Sequence, residues 1–494
     1  MQATIRISDG VARMPKWRMS QPVDFVAFDG EHIAIVGSNA SGKSMLADIL
    51  IGRHPLLMKE PEYDFTPSQR PLVSDNVKYI TFRDCYGGDN DSTYYLQQRW
   101  NQHDIDESTP TVGELLEEAF VLSGADTPER RAMQQHLYGL FGLFSLLDKY
   151  IILLSSGELR KFQLTKALFT QPRILMMDNP FIGLDAPTRA QLTELLTLLS
   201  RESALQLILI LAKTDDIPPM ITHVVEVSNM AVKPKIKLGE YLASKSHRPV
   251  HVLSQAKEAA IASLPYHDNE YQSREVVRLR KVSIRYGERT ILRDLDWQVN
   301  NGERWALSGS NGSGKSTLLS LICADNPQAY ACDITLFDKP RGTGETIWDI
   351  KRHIGYVSPE MHRAYNKDLP SIRIVASGLK DSVGLYVRPT EEEYEICRWW
   401  MDIFGIGHLC DRTFMSLSSG EQRLVLLSRA FVKDPELLIL DEPLHGLDDT
   451  NRQLVKDIIE AYCRRNNKTL IMVTHYEEEL PQCITHRLHL ERTQ

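Results

Sequence analysis

LSSGEQRLVLLSRAFVKDPELLILDEPLHGLD, residues 417 to 448, reads as a helix start, a helix, a turn at Asp434-Pro435, a buried strand and an acidic pair. Ser418, Ser419 and Gly420 fall where the helix begins, so unpaired backbone N–H groups and the positive end of the helix dipole face outward, a surface suited to a phosphate. The run from Glu436 to Leu440 is apolar after its first residue, as a parallel strand covered on both faces requires. It delivers Asp441 and Glu442 at its carboxyl end, where open α/β sheets bind their ligands.

The same stretch occurs earlier as LSSGELRKFQLTKALFTQPRILMMDNPFIGLD, residues 154 to 185. Gly157 and Gly420 stand 263 residues apart, and the offset holds from Asp178/Asp441 to Ile221-Thr222-His223/Ile484-Thr485-His486. A duplication of this length precedes any reading of single residues. The chain is therefore a tandem of two related α/β domains: residues 1–225, a linker over 226–272, and residues 273–494.

Working outward, EHIAIVGSNASGKSMLADILIG (residues 31–52) is a short apolar strand, a Gly-rich turn and a helical pattern. Gly37, Ser38, Asn39, Gly42, Lys43 and Ser44 fit a P-loop, in which glycines let backbone N–H groups wrap phosphates, the lysine reaches the β- and γ-phosphates and the serine holds Mg²⁺. GERWALSGSNGSGKSTLLSLI (residues 302–322) repeats it with Gly309, Ser310, Asn311, Gly312, Gly314, Lys315 and Ser316. Asp178 and Asp441, ending their strands, are the carboxylates for the metal. Two P-loops on parallel-sheet scaffolds commit the chain to nucleotides.

Between P-loop and signature of the first half, residues 53–110 are polar and irregular, and VGELLEEAFVL and RRAMQQHLYGLFGL predict a helical insertion. RAQLTELLTLLSRES and LQLILILA then predict a helix and a strand completing the first domain near residue 225. The linker shows no sustained periodicity beyond a helical patch at Ser254 to Ala262. His247 and His251 have i,i+4 spacing, but Pro249 between them disfavours a helix and with it a metal site.

Composition narrows the class. The 494 residues are 42% hydrophobic and 25% charged, as in soluble globular proteins, and a net charge of −8 argues against a broad nucleic-acid surface. Seven cysteines without a C-x-x-C pair predict reduced thiols in a cytosol. No run reaches the roughly 18 apolar residues that cross a bilayer, so any service to a membrane comes from its cytoplasmic face.

The ordered set of P-loop, LSSGE, apolar run with Asp-Glu, GLD and a late histidine, present twice, resembles the ATP-binding cassette ATPases. More narrowly, GETIWDIKRHIGYVSPE (residues 344–360) and the ITHRL segment are similar to the twin-cassette branch associated with molybdate transport. The resemblance implies, for each half, a mainly parallel sheet, an antiparallel β portion and a helical subdomain. It also implies a sandwich in which each ATP lies between the P-loop of one cassette and the signature of the other. Site two would comprise Lys315, Ser316, Asp441, Glu442 and His475 with Ser155, Ser156 and Gly157 opposite. Glu442 would polarise the attacking water, His475 would contact the γ-phosphate and Tyr286 would stack on adenine. Site one would comprise Lys43, Ser44 and Asp178 with Ser418, Ser419 and Gly420 opposite.

Site one departs from the pattern in three places. Asn179 stands where Glu442 does, Ala212 is opposite His475, and Met14 is opposite Tyr286, with Trp17 nearby as a substitute. Asn179 can hydrogen-bond water but is no general base, so site one should hold ATP and hydrolyse it slowly if at all. The glutamine that the family places after the strand following the P-loop helix is also missing: Ser358, Pro359 and Glu360 occupy one half and Asp84 the other. Three functions stay open. The chain serves as the ATPase or accessory of a transporter whose permease is encoded separately, as a soluble ATPase on a partner such as the ribosome, or as an ATP-operated regulator. With both cassettes in one chain, a monomer suffices.

Overall fold

The computed structural model describes residues 2–81, 109–154, 156–181, 184, 186–202, 204–212, 217–244, 252–264, 273–287, 289–365, 367–381 and 387–492. They form two compact units divided between Arg248 and Pro249.

In the first unit β1 (Ala3–Gly10) pairs antiparallel with β2 (Val23–Phe28). The strand β3 (Ile33–Val36) leads through the P-loop into α1 (Lys43–Leu50). β4 (Glu62–Tyr63) closes the small sheet on β1, and β5 (Val77–Thr81) is the outer parallel strand of the large one. The expected helical insertion is α2 (Val112–Leu122) and α3 (Pro128–Phe141). Thr111 and Glu114 form a capping box at the start of α2, satisfying orphan N–H groups. Gly142 at φ 63° ends α3, a left-handed position that suits glycine. Then follow α4 (Ser156–Leu168), β6 (Ile174–Asp178), α5 (Ala186–Glu202) and β7 (Gln206–Leu211).

The chain does not pass into a featureless connector at residue 226. β8 (His223–Ser228) runs parallel to β3, and β9 (Ala231–Val232) and β10 (Ile236–Lys237) pair antiparallel with β8. The large sheet has the order β10-β8-β3-β7-β6-β5, with β9 also on β8. The two-residue turn between β8 and β9 is Asn229-Met230, at φ 50° and 59°. Such a tight hairpin turn wants φ > 0 at both positions and is normally announced by Asn-Gly. Methionine in the second place hides the signal, which is why this segment reads as a linker. Downstream, α6 (Leu238–Ser244) still belongs to the first unit, and α7 (Gln255–Ala262) to the second. His247 and His251 lie outside the described residues.

The second unit has an antiparallel sheet in the order β12-β11-β14-β15, from β11 (Glu275–Tyr286), β12 (Arg289–Asn300), β14 (Asp333–Leu336) and β15 (Lys339–Pro340). Its parallel sheet, in the order β16-β17-β18-β13-β19, uses β13 (Arg304–Gly309), β16 (Ile354–Val357), β17 (Leu437–Asp441), β18 (Thr469–Val473) and β19 (His486–Leu490). After β13 comes α8 (Lys315–Ile322); α9 (Ser371–Ala376), α10 (Glu391–Ile403), α11 (Ser419–Phe431) and α12 (Asp449–Cys463) complete the helices that matter here. Strand β17 lies between β16 and β18 with Leu437 to Leu440 fully buried, as its apolar run demands.

One aromatic cluster fixes α10, α11 and α12 to each other. Trp400 packs on Phe431 and Tyr462, with ring centroids 5.2 and 6.3 Å away, and is fully buried. Truncating it to alanine would cost roughly 3–5 kcal/mol.

Candidate active site

Each P-loop is shaped by residues with positive φ. In the second unit these are Gly309, Gly312 and Gly314 at φ 147°, 80° and 95°. Gly309 is also the point of closest approach, since a Cβ there would stand 2.5 Å from the Leu490 carbonyl. The Lys315 ammonium donates to the carbonyls of Gly309 (2.7 Å) and Ser310 (3.0 Å). In the first unit Lys43 does the same to Gly37 (2.8 Å) and Ser38 (2.6 Å). Ala40, at φ 58°, replaces Gly312 and carries a left-handed backbone at a cost of about 1 kcal/mol. The lysines thus curl back over their own loops. The buried hydroxyls of Ser41 and Ser313 have no hydrogen-bond partner among the described residues. This donor set fits a polyphosphate. Ser44 Oγ lies 3.4 Å from Asp178 Oδ2, a hydroxyl–carboxylate pair of the oxygen type that Mg²⁺ takes. Ser316 begins α8 just after Lys315, and Asp441 ends β17, as in the first unit.

The carboxylate after Asp441 is held from several sides. Glu442 has φ 48°, a strained position for a residue with a Cβ. Its N–H donates to Val473 O at 2.9 Å. The buried Arg423, one turn into α11, donates to Asp441 O at 2.9 Å and also to the Glu442 carbonyl, and its Nε reaches Pro443 O at 3.5 Å. The side chain is flanked by two imidazoles, with His475 Nε2 3.1 Å from Oε1 and His445 Nδ1 3.4 Å from Oε2. Burial alone would raise the Glu442 pKa. The His475 hydrogen bond and the positive charge of His445, His475 and Arg423 outweigh it and hold the carboxyl down to about 2.

In the first unit the equivalent position is closed on itself. Asn179, at φ 49°, donates through Nδ2 to Asp178 Oδ1 (2.8 Å) and accepts through Oδ1 from the Ala212 N–H (3.1 Å). Tyr79 OH donates to Asp178 Oδ2 at 3.2 Å. Burial, and then the charges of Asp178 and Asp48, push its phenol well above the usual range, so it stays a donor. Among the described residues no imidazole lies against Asn179, and its amide is bonded at both ends.

The aromatic positions differ as well. Tyr286, at the tip of the β11–β12 hairpin, accepts at its hydroxyl from Asn326 Nδ2 (2.9 Å), and Ile291 and Leu292 beyond the tip pack against Gly314. Met14, its sequence counterpart, is exposed. Trp17 instead stacks on His54, with centroids 4.1 Å apart and planes at 13°. The P-loops are 272 residues apart, and by that offset His54 corresponds to Asn326. Met19 and Met230 crowd Gly42, and Met230 N donates to Ser41 O at 3.0 Å. The missed β8–β9 turn therefore leans on the first P-loop.

The signature of the second unit starts α11 as expected: Ser418 is its N-cap and forms a capping box with Glu421, leaving Ser419 exposed and Gly420 buried. In the first unit Ser155 lies outside the described residues, Ser156 opens α4, and a Cβ on Gly157 would stand 2.6 Å from Thr188 Cγ2, so glycine is needed for α5 to pass. At the end of β16, where the family pattern has a glutamine, Ser358 caps the short helix Pro359–Ala364 by accepting from Met361 N at 3.0 Å. Asp84 lies outside the described residues. Arg423, His445 and His54 were not singled out from sequence. Arg423 had a usable signal, because Arg160 occupies the same place in the first LSSGE helix and is also buried.

Two P-loop cassettes, each with a strand-end aspartate and a signature helix, define an ATP-hydrolysing ABC protein. The chain belongs to the ABC transporter family, whose profile matches residues 20–182 and 292–445. It is 36% identical, over 98% of its length and 96% of the relative's, to the ABC transporter ATP-binding protein ModF of Escherichia coli (strain K12). It is 28% identical, over 97% of its length and 96% of the relative's, to an uncharacterised ABC transporter ATP-binding protein of Schizosaccharomyces pombe. Among solved structures it matches a chain described as "Model of ribosome-bound archaeal Pelota and ABCE1" with TM-score 0.58 and 17% identity, covering 94% of this chain and 73% of that one. An "RNase-L Inhibitor" structure matches with TM-score 0.52 and 18% identity, covering 95% and 85%. At these identities the likeness shows the fold. Among the described residues no helix is long and apolar enough to cross a membrane.

Proposed function

We propose that this protein is the energising or accessory ATPase of an oxyanion transporter of the molybdate type, with its permease encoded separately. It hydrolyses ATP at the second cassette and holds ATP at the first without turning it over. The observation that carries the asymmetry is the contrast between Glu442, an ionised carboxylate flanked by His475 and His445, and Asn179, turned onto Asp178 and the Ala212 N–H. The cargo class rests on the likeness of residues 344–360 to the molybdate-associated branch, and the similarity to ModF supports it.

In this reading Lys315 would leave the loop carbonyls for the β- and γ-phosphates, Asp441 and Ser316 would hold Mg²⁺, which offsets phosphate charge, and Glu442 would orient the attacking water for in-line displacement. Lys43, Ser44 and Asp178 retain the other nucleotide. As the family resemblance implies, Ser418, Ser419 and Gly420 complete the first site and Ser155, Ser156 and Gly157 the second.

The test uses Glu442→Gln as a trap. The tagged variant is locked with ATP and Mg²⁺ in detergent-solubilised lysate of the source cells, and its co-purifying proteins are identified against Lys315→Ala. A polytopic membrane protein captured only by the locked form supports the transport reading. Ribosomes or another soluble partner without a permease would sink it.

A further inference from the structure

His445 lies outside the set of motifs that brought the two cassettes to light, yet its Nδ1 stands 3.4 Å from Glu442 Oε2, on the opposite side of the carboxylate from His475. It is well placed to stay there. Its own N–H donates to Glu442 O at 3.2 Å, and Leu444 and Leu447 on either side are buried. The backbone of Glu442 is fixed by Arg423 and by Val473, so what remains to be positioned is the side chain alone. Two oxygens are held by two imidazoles. An attacking water needs one of those oxygens open to accept its proton.

The sequence of the other cassette varies in step. Where Glu442, His475 and His445 stand, the duplicate has Asn179, Ala212 and Ile182, so both histidines are missing from the half that lacks the carboxylate.

We propose that His445 is a positioning residue for hydrolysis at the second site: with a proton on Nδ1 it holds Glu442 by Oε2 while Oε1 is given over to the attacking water. This rests on the reading of the second site as the hydrolytic one. When His475 turns from Oε1 towards the γ-phosphate, His445 is the side chain that keeps the carboxylate from swinging into solvent. A carboxylate misplaced by about 1 Å can lose a large part of its effect on rate while ATP binding, which uses other groups, is untouched.

The experiment compares full-length wild type, Glu442→Gln, His445→Leu and His445→Asn in steady-state ATP hydrolysis, with ATP affinity measured separately by equilibrium binding. Leucine keeps volume without a donor; asparagine places an N–H near the position of Nδ1. The expected result is a kcat for His445→Leu about tenfold below wild type with KM and ATP affinity within about twofold, and recovery of most of the rate in His445→Asn. His445→Leu at the wild-type kcat, or His445→Asn as slow as His445→Leu, would overturn the proposal. If Glu442→Gln itself hydrolyses ATP at the wild-type rate, the reading of the second site fails and this proposal with it. Should His445→Leu not yield folded protein, His445→Ala carries the same comparison.

Discussion

Asn179 accepts a hydrogen bond from the backbone N–H of Ala212 at 3.1 Å, and these two residues stand where Glu442 and His475 stand in the duplicate, 3.1 Å apart through their side chains. The same backbone frame, with the first residue at φ 49° in one half and 48° in the other, thus serves two ends. In one, a side chain amide finishes the loop by bonding to it. In the other, a carboxylate is held between imidazoles.

Hydrolysis should therefore depend on one cassette. Glu442→Gln is expected to lower steady-state ATP turnover at least a hundredfold while ATP stays bound, because the amide cannot accept the proton of the attacking water. Asn179→Ala should change turnover less than twofold, since it removes only two structural hydrogen bonds. Equal losses in the two variants, measured as phosphate release, would refute the asymmetry.

The ionisation of Glu442 gives a second check. With its carboxyl held at about 2 by His475, His445 and Arg423, against an ordinary 4.5, the ionised form is favoured in the folded state. The sign follows: this contributes stability that is fully present above pH 4.5 and is lost as pH falls towards 2. In protein carrying ¹³C-labelled glutamate side chains, with Glu442→Gln used to assign the signal, the Glu442 carboxyl resonance should stay at its ionised position from pH 8 to pH 4. Movement with a midpoint near 4.5 would mean that the two histidines do not hold the carboxylate.

How much of this was legible beforehand follows from the kind of interaction. Both P-loops, both signature helices and the strands ending in Asp178 and Asp441 are local patterns, in which the needed backbone is dictated by residues within ten positions of one another. The departure at Asn179 was legible for the same reason. The turn at Asn229-Met230 was not, because Met230 reaches positive φ only with tertiary support from the first P-loop. The stacking of Trp17 on His54, from either side of that loop, could not be read either, since neither residue occupies the place of Tyr286 in the alignment of the halves. Arg423 acts on a loop 18 to 20 residues away, across a strand, and only the duplicate Arg160 hinted at it.

Arg423 should matter to both stability and rate. Its guanidinium donates to two successive carbonyls, those of Asp441 and Glu442, and reaches a third on Pro443. A lysine, with a compact ammonium, cannot span them. Arg423→Lys leaves buried carbonyls unsatisfied and should cost roughly 1–3 kcal/mol of stability in denaturant unfolding. Because those carbonyls flank Glu442, kcat should fall several-fold with little change in KM. Unchanged stability together with unchanged kcat would show that the clamp is incidental.

The first cassette offers the last prediction, because Trp17 has the face that Met14 lacks. Its ring rests on His54, which lies 3.7 Å from Asp48, and the exposed Lys16 ammonium reaches within 4.8 Å of the ring centroid. A tryptophan backed by an imidazole beside a P-loop is a platform on which an adenine can stack, worth roughly 1–3 kcal/mol per base. In a Lys315→Ala background, where the second site is disabled, Trp17→Ala should weaken binding of fluorescent ATP about tenfold. Met14→Ala in the same background should leave it unchanged, since Met14 is exposed and the platform lies elsewhere. If both variants bind ATP as the parent does, the base at the first site is held by some other residue, and its retained nucleotide owes its affinity to Lys43, Ser44 and Asp178.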